Sequence, residues 1–163
     1  MKWKLHVGDE DKPFFQKFGR YIRKLISARI APYCVLNEVR ICLYRLCGYR
    51  IGKNCFIGMR CYLDDLEPKM FTCEDDVTIS YGCFFACHGM NQHHTPITIK
   101  QGAYLGMRCN VISGKTGVCI GEHATVGACA LVIHSIPANT TAVGVPAVII
   151  NKRNCEETKD NTN

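Results

Sequence analysis

Apolar positions recur every six residues through the middle of the chain and fall into four groups of three. The groups are Ile51, Ile57, Leu63; Cys73, Ile79, Phe85; Ile99, Leu105, Val111; and Ile120, Val126, Val132. The residue after each anchor is often Gly, small or acidic, as at Gly52, Gly58, Asp64, Gly106, Gly121 and Gly127. Four positions after an anchor comes a small residue or Val: Cys55, Cys61, Val77, Cys83, Ala103, Cys109, Ala124, Ala130. A period of about six residues predicts a β-helix solenoid, in which each coil buries its apolar positions only by stacking on its neighbours. Between groups the step lengthens to ten, fourteen and nine residues. If three hexads make one triangular coil, every insertion falls at the same corner. Loops stacked along one edge of a rigid scaffold are where binding and catalytic side chains concentrate.

Before the hexads the period changes. Phe14, Phe15, Phe18, Tyr21, Ile22, Leu25 and Ile26 recur at three- and four-residue steps, with Lys17, Arg20, Arg23 and Lys24 between them. This predicts an amphipathic helix that ends near Pro32. A second helix is predicted from about Tyr33 to Leu46, with Leu36, Val39, Leu43 and Leu46 on one face and Gly48 as its stop. Beyond Val132 the hexads give way to turn residues, so the solenoid is expected to run from Ile51 to about Ile133. Residues 1–48 then form a polar tail and helical cap, 49–151 the solenoid domain, and 152–163 a flexible tail.

Composition narrows the class. The chain has 163 residues, 47% of them hydrophobic, enough for one domain with a sizeable core. No apolar run approaches the roughly 20 residues of a membrane helix, and the charged N-terminus lacks a signal-peptide pattern. A cytoplasmic location is the expectation. The chain has 12 cysteines but no CxxC pair, and four of them occupy the small interior slot of a hexad. They read as reduced core thiols. Charge is uneven: residues 1–60 carry thirteen Lys/Arg against four Asp/Glu, or +9, and the remainder seven against ten, or −3. The basic helices therefore have two readings, a cap on the first coil or a contact with acidic lipid at the inner face of the membrane. Nucleic acid is not an expected partner.

The hexads, followed by Ile120-Gly-Glu-His-Ala-Thr-Val-Gly-Ala-Cys-Ala-Leu-Val132, Ser-Ile-Pro137 and Ala142-Val-Gly-Val-Pro-Ala147, resemble the hexapeptide-repeat acyltransferases. The similarity is to the maltose/galactoside O-acetyltransferase and polysaccharide O-acetyltransferase branches, over about residues 50–151. The resemblance implies an all-β, left-handed parallel β-helix of about four coils with an N-terminal α-helical appendage. It also implies a homotrimer, acetyl-CoA or another acyl-CoA as donor, an active site between neighbouring subunits, and one catalytic histidine on a loop after the second coil. No metal is implied. The matching histidine is His88, which opens the longest insertion, Phe85-Ala-Cys-His88-Gly-Met-Asn-Gln-His93-His94-Thr-Pro96.

A hydroxyl is a poor nucleophile at neutral pH, and an imidazole within hydrogen-bond reach removes its proton as it attacks a thioester. Asp64 stands at the same corner one coil earlier and is the second catalytic candidate. Asp65, Asn91, His93 and His94 are acceptor-binding candidates. For the donor, the resemblance points to Tyr104, Gly106, Met107, Gly127, Ala128, His134, Lys152 and Arg153, with the small residues letting a ligand approach the backbone. The expected activity is O-acetyl transfer to a sugar or cell-surface polysaccharide precursor. N-acetylation of an amino sugar, a γ-class carbonic anhydrase built on His88, His93, His94 and His123, and a non-catalytic trimeric scaffold remain as alternatives.

Overall fold

The structure, a computed structural model, describes residues 14–88 and 94–152. The flanking tails and residues 89–93 lie outside the described residues, and with them the candidates Asn91, His93 and Arg153. The central region is a β-solenoid with three faces. The first sheet stacks β1 (Arg50–Ile51), β4 (Phe71–Cys73), β7 (Ile97–Ile99) and β10 (Val118–Ile120). The third stacks β3 (Tyr62–Leu63), β6 (Phe84–Ala86), β9 (Asn110–Ile112) and β12 (Leu131–Val132). The second holds β2 (Phe56–Ile57), β5 (Thr78–Ile79), β8 (Tyr104–Leu105), β11 (Thr125–Val126), β13 (Thr140–Val143) and β14 (Val148–Lys152).

The twelve anchors stack in three columns of four. Ile51, Cys73, Ile99 and Ile120 are in register in the first sheet. Ile57, Ile79, Leu105 and Val126 are in register in the second, and Leu63, Phe85, Val111 and Val132 in the third. All are buried. Each insertion follows a strand of the third sheet, so all three share the corner between the third and first sheets. At the other two corners the chain turns through the left-handed region. One column is Asn54, Asp76, Gly102, His123 and Asn139; the other is Arg60, Gly82, Arg108 and Cys129. Asn, Asp and Gly tolerate that geometry best.

Three expectations need correction. The solenoid does not stop near Ile133: Ile136 bridges Ile120, and Ala142 continues the second column beside Val126, both buried. Only then does β14 fold back antiparallel on β13. The second helix, α2, is Asn37–Leu46, because Ala31–Tyr33 forms a separate 3₁₀ turn and Cys34 and Leu36 are extended. Its buried face is also not the predicted one. Arg40, Ile41 and Tyr44 are buried; of the predicted face only Leu43 packs partly on the core, whereas Leu36, Val39 and Leu46 are exposed.

Hydrogen bonding explains that choice. The first coil has no preceding coil to occupy its backbone groups, and buried backbone groups must be paired. Asn37 brackets β2, donating to the Cys55 carbonyl at 3.0 Å and accepting from the Ile57 N–H at 3.1 Å. Arg40 donates to the Ile57 and Cys34 carbonyls, Tyr44 to Cys61, and Arg45 to Ile51 and Gly52. The side chains of α2 thus stand in for a missing coil.

Candidate active site

Asp64 follows β3 at the insertion corner and is fully buried, at 0% exposure. Its Oδ1 accepts from the Leu66 N–H at 3.0 Å, and its Oδ2 accepts from the Cys87 N–H at 2.7 Å. Oδ2 also lies 2.5 Å from His88 Nδ1, across one coil boundary. A carboxylate only accepts, so a hydrogen bond here puts the proton on Nδ1, and the imidazole tautomer with that proton has Nε2 as its acceptor. The His88 side chain is 35% exposed. A buried carboxylate therefore orients a solvent-reachable imidazole.

Local structure fixes this pair. His88 and His94 form an antiparallel bridge that closes the base of the insertion. The Thr95 N–H donates to the Cys87 carbonyl at 2.8 Å, and Thr95 Oγ1 donates to Ser113 Oγ at 2.6 Å, which ties the base to the next coil. From below, the Tyr49 hydroxyl donates to the carbonyls of Leu63 and Asp64, both at 3.0 Å. Burial pushes the Tyr49 phenol up, which keeps it a donor. No sequence pattern marked Tyr49, Thr95 or Ser113, because their roles depend on contacts between coils.

Cys87 is buried, and its thiol is pushed up to about 12 by burial and then by the nearby Asp64 charge. It stays protonated near neutrality and is unsuited to forming an acyl-enzyme. Asp65 has contacts of its own: its Oδ1 accepts from the Tyr62 hydroxyl at 2.8 Å and its Oδ2 lies 4.0 Å from Lys24 Nζ. Nδ1 of His94 is buried with no hydrogen-bond partner among the described residues.

The donor candidates lie elsewhere on this chain. Tyr104 is exposed on the second sheet and its hydroxyl lies 3.3 Å from Ser80 Oγ. Met107 and Ala128 are exposed at the corner between the second and third sheets. His134 is exposed on the His88 edge, two coils further along. A Cβ on Gly106 would stand 2.5 Å from the Ala128 nitrogen, and one on Gly127 would stand 2.7 Å from Val143 Cγ1. Packing against the next coil by itself disfavours a side chain at both positions. Lys152 ends β14. Among the described residues, no group of three or more His, Cys, Asp or Glu side chains is placed to hold a metal ion.

These stacked three-sided coils share the fold of solved hexapeptide-repeat acetyltransferases. Solved structures carry the match: a hexapeptide-repeat acetyltransferase from Vibrio cholerae in complex with acetyl coenzyme A is 21% identical, with a TM-score of 0.68 over 84% of this chain and 88% of that one. A galactoside acetyltransferase in complex with coenzyme A is 20% identical, with a TM-score of 0.67 over 94% and 90%. In sequence, the chain is 31% identical over 111 residues to SAR2635 of Staphylococcus aureus, an acetyltransferase by assignment; the match covers 63% of this chain and 54% of the relative. It is also 31% identical over 103 residues to a serine acetyltransferase of Buchnera aphidicola, covering 60% and 36%. The chain thus spans about half the length, or less, of these curated relatives. No family model matches it.

Proposed function

We propose that the protein is an acyl-CoA-dependent O-acyltransferase that moves acetyl from acetyl-CoA to a hydroxyl of a sugar or cell-surface polysaccharide precursor. The observation that carries this reading is the His88 Nδ1–Asp64 Oδ2 contact at the base of the longest insertion. His88 Nε2 takes the acceptor hydroxyl proton as its oxygen attacks the thioester carbonyl. When the tetrahedral intermediate collapses, the C–S bond breaks and the same proton passes to the departing thiolate. Asp64 holds the Nδ1–H tautomer throughout and offsets the charge of the imidazolium. Free backbone N–H groups of an adjacent subunit would stabilise the oxyanion.

In this reading His94, with Asn91 and His93 of the same insertion, contacts the acceptor. Asp65, whose carboxylate accepts from the Tyr62 hydroxyl and lies near Lys24, belongs to the same acceptor set. The donor arm would rest against Tyr104, Met107, Ala128 and His134, with Lys152 and Arg153 near its phosphates. Tyr104 lies on the second sheet and Met107 at the corner between the second and third sheets, away from His88, so in this reading His88 of one copy works with Tyr104 and Met107 of another. That supports a homotrimer. The protein would act in the cytoplasm, where acyl-CoA donors are made.

The test is free-thiol release from acetyl-CoA across a panel of sugar acceptors, with wild type and His88→Ala. We expect His88→Ala to lose about 10²- to 10⁴-fold in rate with its thermal melt unchanged. Full activity in this variant would remove His88 as the base. Separately, acetyl-CoA at about a hundred times its Kd should stabilise wild type by about 2.7 kcal/mol, and the absence of any shift would count against the donor assignment.

A further inference from the structure

Helix α1 (Phe14–Leu25) turns the large apolar side chains of one face outward, while Ile41 and Tyr44 of α2 are buried. Phe18, Tyr21, Ile22 and Leu25 recur on that face of α1 and are 54%, 72%, 42% and 55% exposed. Some polar side chains of the N-terminal helical unit go the other way: Ser27 and Arg40 are buried, and Lys24 approaches Asp65 at 4.0 Å. A helix that served only as a cap would turn its apolar stripe inward, because burying one such side chain is worth about 1.5–3 kcal/mol.

Charge decides what covers the stripe. Residues 18–50 contain seven Lys/Arg, among them the exposed Arg29 and Arg50, against one acidic residue, Glu38. Two copies meeting through this face would bring like charges together. An anionic lipid surface offers an apolar layer for the stripe and counter-charge for the surrounding bases. Among the described residues no helix is long and apolar enough to cross a membrane, so α1 would lie along the surface. We propose that α1 is an interfacial helix that seats the protein on an anionic membrane surface through Phe18, Tyr21, Ile22 and Leu25. Lys24, in its last turn, stands beside the neighbour of Asp64, so the docking helix adjoins the corner that carries His88. This inference stands independently of the catalytic reading.

The test is co-sedimentation of the full chain with phosphatidylglycerol-containing vesicles and with pure phosphatidylcholine vesicles, at low and high salt. We expect binding to anionic vesicles, about tenfold weaker binding to neutral ones, and weakening by salt. The double variant Tyr21→Glu/Leu25→Glu, with its fold checked by thermal melt, should lose binding by about tenfold or more. Arg29→Glu should bind more weakly and with less salt dependence. Failure of the wild type to sediment with anionic vesicles, or undiminished binding of the double variant, would overturn the proposal. So would a drop in particle mass by analytical ultracentrifugation on making the double variant, which would make the stripe a contact between copies.

Discussion

At the residue scale, the site rests on one buried carboxylate. Asp64 reaches His88 because consecutive coils place residue 64 beside the end of β6, and the Cys87 and Leu66 N–H groups fix its two oxygens. Asp64→Asn keeps the shape but replaces an acceptor oxygen with an N–H₂ donor, which cannot satisfy those N–H groups and His88 together. We expect kcat to fall by about 10²-fold or more and stability to fall by about 1–3 kcal/mol. A structural role alone would lower the melting temperature and leave the pH–rate profile unmoved. A positioning role shifts the profile as well, so the two measurements separate the roles. Asp64→Glu, which restores a carboxylate at a longer reach, should recover part of the rate.

At the element scale, each hexad is a short strand followed by a glycine or small residue and, at two of the three corners, a left-handed turn. The glycines are spacers between coils: beside Gly106 the space for a side chain is already filled by the backbone of Ala128. Gly106→Ala must push the coils apart, since the added carbon would sit 2.5 Å from a backbone nitrogen that has no flexible way to yield. The expected cost is about 1–3 kcal/mol, measured as a lower urea midpoint, with the loss of the Gly106 N–H to Val126 carbonyl bond visible in hydrogen exchange. An unchanged midpoint would mean that the stack is looser than its geometry. The cap obeys the complementary rule. Arg40 is buried without a carboxylate partner because the carbonyls of Cys34 and Ile57 are what need a donor.

At the scale of the whole molecule, the core is narrow and unusually rich in thiols. Cys55 and Cys73 lie 3.8 Å apart and Cys83 and Cys109 3.5 Å apart, sulfur to sulfur, in the prism interior. The described cysteines are all free thiols. Cys87 shows the consequence for pH. Its proton, ordinarily lost near 9.0, is held to about 12 in the folded chain by burial and then by Asp64. The unfolded chain therefore releases protons first as pH rises, so stability is intact below pH 9 and declines between there and about 12. Thermal melts across that range should show the decline, and Cys87→Ala should make it shallower. Equal slopes for both proteins would assign the decline to other groups.

The six-residue spacing by itself determined the solenoid, the register of all twelve anchors and the shared corner of the insertions, because a repeat that buries the same two positions in every six leaves one way to stack. His88 and Asp64 were legible as neighbours for the same reason: both follow the third strand of a coil. What the spacing did not contain were the contacts that cross between coils or between α2 and the first coil. Tyr49 beneath Asp64, Thr95 on Ser113, and the polar face of α2 on β2 are each decided by an unpaired backbone or side-chain group that exists only once the coils are stacked. The apolar pattern of α2 predicted the wrong buried face because pairing the open strand edge outweighed burying Leu36, Val39 and Leu46. The outward stripe of α1 has the same origin in tertiary structure: periodicity showed that the helix has an apolar face, and only the folded chain decided that this face looks away from the core.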